Sequence, residues 1–296
     1  MKRTFDYFIE PQDDQKTVKS FLVGCGRISL TCLKKIKFAD DGILLNGKRV
    51  YVTEKLNIGD HLQINISDDK QSSVIPVKGN IEILYEDEDL LIVDKPPYMP
   101  VHPSKGHPED SLANIVTSYY YQNGQSFAFR CVTRLDKNTS GVVVIAKNAF
   151  THDSLRKQLV TCSIEKKYQA LVHGKTKEFG TIDAPIYRPD EATIKREVSP
   201  KGVFAVTHYK TIKTENDISF IELTPETGRT HQIRVHMSYI GHPLCGDFLY
   251  GDENDGYPRQ MLHAFQISFL HPVSKEKITV KTKNDKWMFE KNEKEV

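Results

Sequence analysis

Thr133-Arg134-Leu135-Asp136-Lys137-Asn138-Thr139-Ser140-Gly141-Val142-Val143-Val144-Ile145-Ala146 sets a polar turn against the longest apolar run of the chain, Val142 to Ala146. Asn, Thr, Ser and Gly favour turns, and a β-branched run is at ease only as a buried strand. Asp136 therefore sits at the edge of a core. Arg134, two residues earlier, either pairs with that carboxylate or reaches outward to a phosphate or base. Taken alone, Asp136 reads as a carboxylate capping its own turn.

Working outward, residues 81–103 place two apolar runs around Glu86-Asp87-Glu88-Asp89, and Pro96-Pro97 and Pro100 end the second. Four consecutive acids without a Gly do not match a calcium loop, so an exposed hairpin tip is expected. Glu165 to Val172 alternates as a strand does, with Lys166, Tyr168, Ala170 and Val172 on one face. A Tyr there is either core or a ring set against a planar base, with its hydroxyl available for proton transfer. Gly228 to Gly241 predicts a helix entered at Thr230 with Ile233, Met237 and Ile240 inward. His231 and His236 are five apart with no Glu beside His231, so the zinc-protease pattern is absent and structural histidines are expected. Gly24-Cys25-Gly26 lacks the third glycine of a dinucleotide loop, and neither a Walker sequence nor a Gly-x-Ser-x-Gly elbow is present.

The 296 residues suit about two domains, and 41 Lys and Arg against 39 Asp and Glu leave a formal charge of +2. That excludes a protein basic all over. Charge is unevenly spread: Arg27, Lys34, Lys35, Lys37, Lys48, Arg49 and Lys55 face only Asp40, Asp41 and Glu54 in their segment. Five cysteines without a Cys-x-x-Cys pair suggest neither a disulfide framework nor a thiolate metal site, and a reducing cytoplasm is expected. No window reaches the roughly 18 apolar residues of a membrane span. Residues 13–68 read as a small unit of two helices, the second carrying Leu30, Leu33, Ile36 and Phe38 as its apolar positions, followed by short strands turned at Asn46-Gly47. Residues 69–80 read as a linker, and 81–290 as the main domain.

Ile43-Leu44-Leu45-Asn46-Gly47-Lys48-Arg49-Val50 with Gly59-Asp60-His61-Leu62-Gln63-Ile64 resembles the S-four-like RNA-binding domain. Further on, LYEDEDLLIVDKP, RLDKNTSG, KKYQALVHG, GRTHQIRVHM, GHPLCGDFLYG and Leu262-His263-Ala264 resemble, in order, the motifs of RluA-type pseudouridine synthases. The family usually has His where Thr133 stands, and Lys-Pro-Ala-Gly where this chain has Lys95-Pro96-Pro97-Tyr98.

The resemblance implies an α+β fold, with a mixed, largely antiparallel central sheet and flanking helices behind a small α+β RNA-binding domain. It implies an isomerase that detaches uracil from ribose, turns it and rejoins it through carbon 5. No atoms are gained or lost, so no cofactor and no metal are expected. Asp136 matches the family's essential carboxylate, Arg229 the cation expected beside it, and Tyr168 the ring that stacks on the base. Arg134, Lys166 and Leu262 are expected to contact the substrate nucleotide. Arg27, Lys34, Lys35, Lys37, Lys48 and Arg49 are expected to hold RNA, ribosomal RNA before transfer RNA, on a monomer. Two other readings stay open from the residues: a catalytically silent RNA-binding factor, and a nucleoside hydrolase or glycosidase. The latter is disfavoured because such hydrolysis generally uses two carboxylates.

Overall fold

The structure, a computed structural model, describes residues 2–25, 28–67, 73–125, 128–251 and 255–283. In chain order the strands are β1 (Lys2–Phe8), β2 (Ile43–Leu45), β3 (Lys48–Arg49), β4 (His61–Ser67), β5 (Glu82–Glu86), β6 (Leu90–Lys95), β7 (Ser140–Ala146), β8 (Glu165–His173), β9 (Phe179–Asp183), β10 (Ile186–Tyr187), β11 (Glu197–Val198), β12 (Val206–Glu215), β13 (Ile218–Pro225), β14 (Leu262–Leu270) and β15 (Lys277–Lys281). The α-helices are α1 (Leu30–Ile36), α2 (Leu112–Gln122), α3 (Ala149–Val160) and α4 (Gln232–Tyr239).

The large sheet runs β5-β6-β7-β14-β8-β13-β12-β9, with β15 on β14. Its described pairings are antiparallel apart from β7 with β14, the mixed, largely antiparallel sheet that the resemblance implied. β7 is buried along its whole length because helices cover both of its faces. Val142, Val144 and Ala146 join Leu90 and Ile92 on the side of α3. Val143 and Ile145 join Leu91 and Val93 on the side of α2. Period-two alternation on two adjacent strands thus splits one apolar run between two cores. Gly141 starts this strand with φ +116, and a Cβ there would lie 2.2 Å from the Ala264 carbonyl oxygen, so the parallel approach of β14 requires glycine.

The N-terminal unit is a four-stranded sheet, β1-β4-β2-β3, over a core that includes Val18, Phe21, Leu22, Leu33, Ile36 and Leu56. Asn46 and Gly47, both at positive φ, make the predicted hairpin turn between β2 and β3. Several details differ from expectation. Lys2–Phe8 pairs in full register with β4, so the small sheet begins upstream of residue 13. The first expected helix is a π-helical turn, Ser20–Gly24. In α1 the inward positions are Cys32, Leu33 and Ile36, whereas Leu30 and Phe38 are exposed.

The acidic run Glu86 to Asp89 is an exposed tip only in part: Glu86 and Glu88 are exposed, Asp87 is half-buried and Asp89 is buried. Asp89 is 2% exposed and takes a two-pronged hydrogen bond from Arg3 (3.1 and 3.0 Å) and one from Asn148 Nδ2 (2.8 Å). Asp87 accepts the backbone N–H groups of Asp89 and Leu90, and Glu86 accepts from Tyr119, Tyr120 and Lys147. Cations and hydroxyls from distant parts of the chain satisfy these carboxylates, which is what allows burial. The Arg3 contact, with Phe5 packed on Phe150 at 4.5 Å, seats the N-terminal unit on α3 and the β5–β6 turn. Of the expected linker, Ile75 and Val77 bond to Asn114 of α2.

Candidate active site

The loop before β7 delivers Asp136 to the wall of a cavity of about 630 Å3. It is clamped from three directions. Lys95, at the end of β6 and fully buried, donates to the carbonyl oxygens of Lys137 (3.1 Å), Pro96 (2.8 Å) and Met99 (2.9 Å). Arg259 donates to Asn138 O, and Gln260 to Thr139 Oγ1. Asp136 closes its own turn through Thr139 N–H, at 3.1 Å from its carbonyl. The family-like stretch beginning at Lys95 thus serves as a brace for the Asp136 loop. Tyr98 stands in its usual Gly position and adopts φ 64, the left-handed conformation that glycine takes without strain.

Burial, and after it the Arg259 charge, push the Lys95 ammonium down to about 7, against the pull of Asp136 and Asp94. An unfolded lysine keeps its proton to about 10.5, so between these values the unfolded chain binds more protons and stability rises with pH. The stability advantage of the protein over a Lys95→Met variant should therefore grow from pH 7 to pH 9, by at most about 1.4 kcal/mol per unit. Denaturant unfolding of both proteins at the two pH values checks this, and a constant or shrinking difference would contradict it.

The cation on Asp136 is Arg234, not Arg229. Arg234 Nη1 lies 3.0 Å from Asp136 Oδ2, while its Nε and Nη2 hold both oxygens of Asp247 at 2.7 and 2.8 Å. Both Arg234 and Asp247 are buried. Arg229 is exposed at the cavity edge and donates from Nε to Phe204 O at 3.0 Å. The reason is the start of α4. His231 adopts φ 58, so the helix begins at Gln232 rather than Thr230, and Gln232 to Met237 are all buried. The signal for Arg234 in the sequence was a lone cation next to the inward Ile233, within one turn of Met237.

The other expected residues converge on the same cavity. Tyr168 and Lys166 project from β8, Leu262 begins β14, and Arg134 is exposed at the edge. Burial, reinforced by the Asp136 charge, pushes the Tyr168 phenol up, so it carries its proton at neutral pH. Lys166 donates to Thr227 O, and burial pushes its ammonium down. Thr133, in the usual His position, accepts the Val144 N–H through Oγ1. Among the lining residues Asp136 is the single carboxylate, against Arg134, Arg156, Lys166, Arg229 and Arg234. A pocket of that charge suits a polyanion, and it lacks the second acid that a glycosidase needs.

Lys34, Lys35, Lys37, Lys48 and Arg49 are exposed on the N-terminal unit, where Arg49 pairs with Asp40 at 2.7 Å. Arg27 lies outside the described residues. His236 is structural, bonded to Thr207 Oγ1 and Ala184 O. Two groups of potential metal ligands lie away from the cavity among the described residues. In each the donors are engaged with one another or with neighbours: His173 Nε2 with Asp255 Oδ2 at 2.7 Å, and Asp89 with Arg3.

Residues 89–239 match the family model for RNA pseudouridylate synthase. The chain is 41% identical over 264 residues to the uncharacterized RNA pseudouridine synthase YjbO of Bacillus subtilis, covering 88% of this chain and 92% of that protein. It is 35% identical over 250 residues to ribosomal large subunit pseudouridine synthase D of Escherichia coli, covering 79% and 77%. Among solved structures, Human RNA Pseudouridylate Synthase Domain Containing 1 superposes with a TM-score of 0.58 at 27% identity, over 69% of this chain and 84% of that one. The fold, the single held carboxylate and these similarities place the chain in the RNA pseudouridylate synthase family. It is an RluA-type enzyme, an isomerase that converts uridine in RNA to pseudouridine. No helix among the described residues is long and apolar enough to cross a membrane.

Proposed function

We propose that the substrate is ribosomal RNA and that Asp136 carries the reaction, as a cytoplasmic monomer. The observation that carries the assignment of Asp136 is its position as the one carboxylate of a cationic cavity, held by a buried arginine. The glycosidic bond breaks with Asp136 acting on the uridine, and the freed uracil is kept between Tyr168 and Leu262 while it turns. Tyr168, protonated at rest, takes part in moving the carbon-5 proton only once the base is in place. Arg134 and Arg229, exposed at the edge, offer charge to the backbone on either side of the flipped nucleotide, where phosphate contacts offset the unstacking cost of a few kcal/mol. The names of relatives that act on the large ribosomal subunit support the choice of RNA. Carbodiimide mapping of pseudouridines in total RNA, from cells with and without this gene, tests it. Loss of a ribosomal site is expected, and loss confined to transfer RNA would overturn the substrate.

The N-terminal unit, with Lys34, Lys35, Lys37 and Lys48 exposed, is proposed as an S-four-like RNA clamp. Neutralising about four phosphates would make affinity fall roughly a hundredfold between about 50 and 200 mM salt. Filter binding of RNA across that range checks the number, and a flat profile would rule out phosphate-led binding.

A further inference from the structure

His231 carries two oddities at once. It is a non-glycine residue in the left-handed region, φ 58, and its ring is wedged between a tyrosine and the Asp136 carboxylate. Nδ1 lies 2.9 Å from Tyr250 Oη, and Nε2 lies 3.9 Å from Asp136 Oδ2. The hydrogen-bond bookkeeping around Tyr250 restricts the ring. The Arg196 backbone N–H donates to Tyr250 Oη at 2.8 Å and takes up a lone pair there, and the phenol hydrogen has His231 Nδ1 as an acceptor within reach at 2.9 Å. A neutral imidazole accepting at Nδ1 carries its hydrogen on Nε2, the nitrogen that faces Asp136. A lone pair pointed at a carboxylate would be repelled, so the electrostatics favour the same tautomer.

We propose that His231 is a positioning residue held by Tyr250 as the neutral Nε2–H tautomer, donating toward Asp136 Oδ2 when substrate closes the gap. Arg234 already occupies Oδ2 at 3.0 Å, so two donors converge on that oxygen and Oδ1 is left as the one presented to the uridine. At 3.9 Å the contact is too long for a hydrogen bond in the free enzyme, and such contacts commonly tighten in the substrate complex. Neutrality matters because a second full positive charge on Oδ2, beside Arg234, would hold the carboxylate more tightly and weaken it as a nucleophile or base, whereas a neutral N–H donor orients it without that loss. Burial lowers the affinity of the ring for a proton; Asp136 and Asp247 oppose this, while Arg234 and Arg196 reinforce it. The exposed Arg229, two residues earlier, adds a further cation on the same segment.

The functional part rests on Asp136 being the reacting carboxylate, whereas the tautomer does not. Ring-15N spectra of the full-length protein should give His231 an Nε2–H signature at neutral pH that persists below the ordinary imidazole range, becoming mixed in Tyr250→Phe. An Nδ1–H ring, or an imidazolium at neutral pH, would overturn the proposal. Two substitutions then separate backbone from side chain. Asparagine accepts the left-handed conformation readily but its amide does not reach the Nε2 position; glutamine reaches it but is less at ease at φ 58. Tritium release from RNA labelled at uridine carbon 5 should fall about tenfold or less in kcat for His231→Gln. For His231→Asn it should fall roughly tenfold further, with KM little changed. Asparagine matching or exceeding glutamine would make His231 a backbone device only, and wild-type rates in both would remove it from the site. If Asp136→Asn were fully active, the carboxylate reading would fall while the measured tautomer stood.

Discussion

Asp136→Asn is expected to lower pseudouridine formation by about a thousandfold or more, in kcat rather than KM. Asparagine keeps the shape of the side chain and an oxygen for Arg234 Nη1, so the loop clamped by Lys95 and Arg259 should stay in place. What is lost is the charge and basicity of the only carboxylate lining the cavity. RNA affinity should persist or rise slightly, because a negative charge leaves a pocket lined by five Arg and Lys side chains. Thermal stability should change little, since Arg234 still holds the buried Asp247. Tritium release, filter binding and an unfolding midpoint measure the three quantities separately. Wild-type product from this variant would move the reaction elsewhere. Product loss together with loss of RNA binding would instead point to a collapsed loop.

Much of this site can be read along the chain because its parts are local. The turn at Asp136 and the β-branched run after it announce each other within fourteen residues, and Tyr168 stands on a strand whose alternation fixes its face. Arg234 is different. Its place depends on where α4 begins, and that is set by the left-handed His231 and by Asp247, thirteen residues on, which needs a partner in the core. Arg229 stands before the helix and Arg234 within it beside the inward Ile233, yet that spacing alone does not tell which guanidinium meets Asp136. The burial of Asp89 and the half-burial of Asp87 are hidden for a related reason. Four charges in a row suggest solvent, and their partners Arg3, Lys147 and Asn148 are 59 or more residues distant in sequence. Consecutive charges are legible as a solvated tip only when nothing far away neutralises them. Lys95 is intermediate: it belongs to a family-like segment, but three backbone carbonyls as its partners carry no sequence signature.

Arg234→Met is expected to cost both the fold and the chemistry, and the two losses can be pulled apart. The guanidinium bridges Asp136 and Asp247, and it lies 5.1 Å from the Tyr250 ring centre and 5.9 Å from that of Phe248. Removing it strands a carboxylate that is completely buried, a change of about 3–5 kcal/mol. Lysine is not a substitute, because one ammonium cannot present the fork that engages both oxygens of Asp247 while reaching Asp136. Adding Asp247→Asn to Arg234→Met removes the stranded charge yet retains an acceptor for the N–H groups of Leu249 and Tyr250, which Asp247 Oδ1 now takes at 3.1 and 3.2 Å. The double variant should therefore recover most of the stability in denaturant unfolding. Activity should stay at least about a hundredfold down, because Asp136 still lacks its cation. Recovery of both would mean that Arg234 serves the core alone and that His231 suffices to hold the carboxylate. Recovery of neither would mean that the ring contacts and the bridge act as one unit. The expected split, stability regained and turnover not, is the outcome that ties the buried ion pair to the reaction.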